Sequence, residues 1–172
     1  ENIISSISNN KLLKQSHQAI LVLGDNVTNK NVKVFLLEKK QEEWIFINTN
    51  FKAVIGKNGF AEFDSKREGD GKTPSGIFKL GFTFGYADKA DTKMPYRKST
   101  TNDFWVDDVD SPFYNQWVSG KHNAKSAEKM LRSDHLYKWG IVINYNTDPV
   151  IPEKGSAIFI HIWRGNKKDT NC

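Results

Sequence analysis

Apolar residues recur along this chain in short runs bounded by Gly, Asn, Pro and charged residues, and that pattern predicts strands. "HQAILVLG" (17–24), "VKVFLLEK" (32–39), "EWIFIN" (43–48) and "FKAVIG" (51–56) form a first series. "NVTNKN" and "KKQEE" read as the hairpin-like links between them. "REGDGKTPSGIFKLGFTFG" (67–85) opens as a turn and returns to a β pattern: Gly69 and Gly71 permit unusual dihedrals, and Pro74 stiffens the exit. "FWVDDVDSPFYNQWV" (104–118) is aromatic and acidic and predicts irregular structure. "NAKSAEKMLRS" (123–133) predicts a helix, capped by Asn123 or Ser126, with Ala127, Met130 and Leu131 as its apolar stripe. "KWGIVINYN" (138–146) and "GSAIFIHIW" (155–163) are the last strands, separated by "TDPVIPEK", a loop with two prolines.

The opening "ENIISSISNNKLLKQ" is polar with scattered Ile and Leu, and reads as a loose arm or a short amphipathic helix that packs little and is dispensable. The fold class is therefore mostly β (α+β) with short helical insertions. An arm over residues 1–16 precedes a domain over 17–172.

Length and composition narrow the function classes. At 172 residues and 38% hydrophobic, the chain suits one domain with its own core. No apolar run approaches the ~20 residues that span a bilayer, so no integral membrane segment is expected in this chain. The net charge of +5 suits an anionic partner such as nucleic acid, a lipid surface or a wall polymer, or solubility alone. The lysines are scattered, and no zinc finger, basic helix or aromatic-rich RNA motif is present, so nucleic acid is not the expected partner. One cysteine excludes an internal disulfide and any multi-cysteine zinc site. No metal and no cofactor are predicted. The first residue is Glu1, as expected after removal of a signal sequence or after trimming.

The chemistry concentrates at the end. Alternation along "SAIFIHIW" puts Ile158, Ile160 and Ile162 on one side and Ala157, Phe159, His161 and Trp163 on the other. A run apolar on both faces predicts a central, buried strand. His161 then stands where a polar side chain is costly unless its nitrogens are received. It is either a satisfied core histidine or an open, working one. Cys172, the only cysteine, follows eleven residues later across the polar loop "RGNKKDTN". A loop of that size can return a thiol to an imidazole, which holds it as the reactive thiolate.

"GSAIFIHIWRG" followed closely by a cysteine resembles the active-site segment of the YkuD-type L,D-transpeptidase family, in the branch with IFxHxWRG and a short His-to-Cys loop. "EGDGKTPSGIFKLG", "WVDDVDSPFYNQWV" and "LYKWGIVINYNTDPVIPEKGSAIF" resemble further segments of that branch in the same order. Together they cover about residues 17–172. The resemblance implies a β-sandwich catalytic domain in the bacterial cell envelope, periplasmic or secreted, whose partner is the peptidoglycan stem peptide. It implies Cys172 as nucleophile and His161 as its base. The thiolate attacks the carbonyl of the diamino acid, the terminal D-alanine leaves, and an amine or water resolves the acyl-enzyme. The expected function is thus an L,D-transpeptidase of cell-wall crosslinking or remodelling. An L,D-carboxypeptidase on the same substrate, or a catalytically impaired peptidoglycan-binding module, is the alternative. Asn171 stands where the family usually has glycine, and the family continues beyond the cysteine, so the domain is expected to be truncated at its C-terminus.

The remaining candidates are weaker. Tyr114 and Asn115 resemble the branch's "YN" pair and are expected near the cleft as substrate-binding residues, or else as packing and turn-capping ones. Arg164 either meets a stem-peptide carboxylate bidentately or lies on the surface. "DDVD" (Asp107, Asp108, Asp110) lacks the rest of a calcium loop and reads as a solvated acidic turn. "GDGKTPSG" lacks phosphate-loop spacing and reads as structural.

Overall fold

The computed structural model describes residues 10–163. It is β-rich throughout. A one-turn helix, α1 (Lys11–Lys14), is capped by the Asn10 carboxamide, which accepts from the Leu12 N–H at 2.9 Å. Leu13 is buried, and Lys39 Nζ donates to the Leu13 and Lys14 carbonyls. The arm's C-terminal end therefore packs more than its polarity implied.

β1 (Gln18–Gly24), β2 (Asn31–Lys40) and β3 (Glu43–Val54) form an antiparallel meander. The two runs expected from 43–48 and 51–56 are one strand, because a register shift opposite Val34–Leu37 absorbs the polar stretch between them. The β2–β3 turn holds Gln41 and Glu42 at φ 49° and 66°, the left-handed geometry that suits the twist of a two-residue hairpin.

β4 (Phe60–Ala61) and β5 (Thr73–Pro74) form a short parallel pair that closes the glycine-rich turn. Gly69 and Gly71 both have positive φ, and Asp70 ties the turn by accepting from Lys66 Nζ, Arg67 N and Lys72 N. The third sheet is mixed, in the order β12 (Phe159–His161), β11 (Trp139–Ile143), β6 (Leu80–Gly85), β7 (Tyr96–Lys98). The fourth is antiparallel, in the order β10 (Ala127–Lys129), β8 (Asp103–Val106), β9 (Gln116–Ser119).

Three expectations are corrected here. Residues 123–133 hold no helix: Ala127 pairs with Val106 and Lys129 with Phe104 across β10–β8. The apolar stripe was too short to outweigh the costly helix nucleus against an available strand edge, although Met130 is fully buried. The aromatic–acidic stretch is a hairpin arm at both ends, with only residues 107–115 irregular. And β12 is not central among the described residues: it is the last strand of its sheet, paired with β11 alone, and half-buried.

The core lies between these last two sheets. Phe84, Trp105, Met130, Leu136, Tyr137 and Val142 are buried together, with Phe159 packed against them. Gly140 makes this possible. It pairs with Phe84 on one side and His161 on the other, and a Cβ there would stand 2.2 Å from the Phe84 ring. The absent side chain gives the ring its seat beside the histidine strand.

Candidate functional site

Strand alternation puts Phe159 and His161 on the same face of β12. Phe159 packs edge-on against Phe84, Trp105 and Tyr137, with centroids at 5.3, 4.8 and 5.7 Å. Tyr137 extends the cluster to His161, ring to ring at 5.2 Å and near-perpendicular. The aromatic core thus ends on the imidazole. His161 itself is half-buried and lines a groove of about 1160 Å³ between the first sheet and β12. Leu21, Val34, Ile158, Ile160 and Ile162 make the groove apolar.

His161 Nδ1 lies 2.9 Å from the carbonyl oxygen of Ile162. A carbonyl only accepts, so Nδ1 carries the hydrogen and donates it. In the neutral ring the lone pair is then on Nε2. The chain's own backbone thereby sets the tautomer of the neutral ring.

Asn115 secures the approach to this strand. It is buried, with φ 55°, a conformation that asparagine tolerates. Its Oδ1 accepts from Trp105 Nε1 at 2.9 Å and from Ala157 N at 3.1 Å. Its Nδ2 donates to the Tyr145 and Asn146 carbonyls at 3.1 and 2.7 Å. One carboxamide joins β8, the loop after β11 and the residue two before Phe159. Tyr114, also buried, donates to Glu68 Oε2 and accepts from Gly155 N at 3.1 Å. Burial raises the Tyr114 pKa, and the Glu68 carboxylate raises it further.

Glu128 and Tyr137 were not legible as site residues. Tyr137 donates its hydroxyl to Glu128 Oε2 while its ring faces His161, so one tyrosine bridges the carboxylate and the imidazole. Arg132 lies 5.0 Å over the Tyr137 ring, with its guanidinium held by Asp134. Burial raises the Glu128 pKa; the Tyr137 hydrogen bond and Arg132 oppose this, and the charges of Asp107 and Glu68 add to it. Glu128 also lines a second, polar cavity of about 220 Å³ with Lys66, Glu68, Asp107 and Ser156. The expected helix hid Glu128, since on a helix it reads as an ordinary solvated carboxylate. Of the acidic turn, Asp108 accepts from Lys125 N and Asp110 N, and Asp110 pairs with Lys125 at 2.7 Å. Cys172 and Arg164 lie outside the described residues.

The domain is β-rich, and His161 lines its apolar groove. The profile of the YkuD family, described as the L,D-transpeptidase catalytic domain, matches residues 26–171, and the chain belongs to that family. That membership ties it to L,D-transpeptidase-type chemistry and to peptidoglycan. Searches of the curated proteins and of the solved structures gave no match. Among the described residues, no helix is long and apolar enough to cross a membrane.

Proposed function

We propose that this protein is a cysteine-dependent L,D-transpeptidase of the bacterial cell envelope, acting in peptidoglycan crosslinking or remodelling. The observation that carries the reading is His161: in a domain of this family, its Nδ1–H is fixed by the Ile162 carbonyl and its ring opens onto the groove. Cys172 Sγ gives its proton to His161 Nε2 and attacks the carbonyl of the stem peptide's diamino acid. The C–N bond to the terminal D-alanine breaks, and the imidazolium returns the proton to the departing amine. The resulting thioester is resolved by the amine of a second stem peptide, which regenerates the thiol. Arg164 binds a substrate carboxylate near the strand end. Tyr114 and Asn115 serve the site by position: the hydrogen bonds of Asn115 hold Ala157 and thereby the register of β12.

The test is mass spectrometry of muropeptides incubated with the intact protein. Crosslinked dimers, absent with Cys172→Ala, are expected. Tripeptides alone would move the reading to an L,D-carboxypeptidase, with water as the acceptor. Turnover that survives Cys172→Ala would overturn it.

A further inference from the structure

One short segment, residues 136–137, meets His161 from two sides. The Ile162 carbonyl receives His161 Nδ1–H at 2.9 Å, and the N–H of the same Ile162 donates to the Leu136 carbonyl at 3.2 Å. Tyr137, the next residue, sets its ring against the imidazole at 5.2 Å and 78°. The outer side-chain torsion of a histidine has broad wells, so one hydrogen bond leaves the plane of the ring loosely set. The Tyr137 ring supplies the second constraint.

What holds Tyr137 therefore bears on His161. Its ring meets Phe84 and Phe159 edge-on at 5.8 and 5.7 Å. Such contacts accept a range of centroid separations, so they bound the ring without fixing its far end. The far end is fixed by the hydroxyl, which is donated to Glu128 Oε2. Glu128 is placed in turn by β10, where it pairs with Trp105 of β8, and Trp105 packs at 4.8 Å against Phe159 of the histidine strand. Arg132 stands 3.9 Å from Glu128 and 5.0 Å over the Tyr137 ring, with Asp134 clamping its guanidinium. Glu128, Tyr137 and His161 all line the same groove.

We propose that Glu128 is a positioning residue for His161, acting through Tyr137: the carboxyl anchors the phenol, and the anchored ring sets the plane of the imidazole. The positioning rests on this geometry; its use in turnover rests on the acyl-transfer reading above.

Two readouts on the intact protein test it. Heteronuclear NMR of the imidazoles, with His161→Ala assigning the ring signal, reports the setting of His161 directly, because the neighbouring Tyr137 ring shifts that signal. The rate of Cys172 alkylation at neutral pH reports what the setting does for the thiol. Glu128→Ala and Tyr137→Phe are expected to move the His161 ring signal towards that of an exposed histidine. Each should slow alkylation about tenfold, the scale of one net hydrogen bond. Glu128→Gln keeps an acceptor for the phenol and should restore most of the rate. Tyr137→Phe and Glu128→Gln conserve volume, so they carry the test if Glu128→Ala fails to fold. A pair that served stability alone would lower the melting temperature and leave the His161 signal of the folded protein in place. That result, with alkylation at the wild-type rate, overturns the proposal. Equal losses in Glu128→Ala and Glu128→Gln overturn it too, since they would assign the effect to charge rather than to position. Alkylation that depends on His161 while both variants leave its signal unmoved sinks the positioning role alone. A signal that moves as expected while wild-type Cys172 behaves as a free thiol sinks the acyl-transfer reading and leaves the positioning in place.

Discussion

Replacing Asn115 with alanine should cost more than its size implies. Alanine removes the acceptor of Trp105 Nε1–H and Ala157 N–H and the donor to two carbonyls, Tyr145 and Asn146. Trp105 is 4% exposed and lies in the aromatic core, so its indole N–H has little access to replacement water. A buried donor left without a partner costs ~1–3 kcal/mol. Two such donors, with a left-handed backbone that alanine tolerates less well than asparagine, give a loss of about 3–5 kcal/mol. That is a large part of the ~5–15 kcal/mol stability of an ordinary domain. Urea unfolding followed by tryptophan fluorescence measures it. With a slope of about 2 kcal/mol per molar, the midpoint should fall by about 2 M. Asn115→Asp keeps the acceptor but sets a carboxylate against two carbonyls, and should also be destabilised. A loss under ~1 kcal/mol in the alanine variant would refute the reasoning, since it would mean that Ala157 and β12 are held by something other than this carboxamide.

Two further outcomes follow from local geometry. Burial raises the pKa of Asp103, but hydrogen bonds from Ser119 Oγ, Thr100 and Trp117 Nε1 outweigh it and lower the pKa to about 2, from 3.8. A depressed folded-state value stabilises above the unfolded one, so about 2 kcal/mol is present above pH ~4 and lost as pH falls towards 2. Urea midpoints measured across that range should show a smaller loss in Asp103→Asn than in the wild type, because Asp64, Asp70, Asp88 and Asp108, also held below the usual carboxylate range, still titrate in both. At the β2–β3 turn, the double substitution Gln41→Asn, Glu42→Gly supplies residues that accept positive φ, and should raise stability by ~0.5–1 kcal/mol and the melting temperature by about 2–4 °C in calorimetry. An unchanged or lower melting temperature would mean that the turn carries no strain.

Strands whose apolar runs stand alone were readable from the sequence, β1, β2 and β11 among them. Where polar residues interrupt a strand, as at 48–50 within β3, the sequence shows two elements and only the partner strand makes them one. Residues 123–133 misled for a different reason. Ala127, Met130 and Leu131 match a helical period, and Met130 is buried as that period requires, but pairing with β8 decided the backbone. The same mistake concealed Glu128. His161 stands out in the sequence because a polar residue interrupts an apolar strand. Its surroundings were not: Tyr114 meets Glu68 across 46 positions, and Asn115 meets Ala157 across 42. No spacing rule spans such separations. The pair "YN" was visible as a pair, whereas its division of labour, a phenol on a carboxylate and a carboxamide spanning three segments, depends on the fold.

The central claim is that His161 activates Cys172, and the pH dependence of Cys172 alkylation by iodoacetamide tests it most directly. An unperturbed thiol titrates near ~8.5. On the intact natural protein, the account predicts rapid alkylation well below that pH, with apparent pKa values belonging to the His–Cys pair, and a shift back to the ordinary thiol profile in His161→Ala. Alkylation at neutral pH no faster than that of a free thiol, and unchanged by His161→Ala, would contradict it.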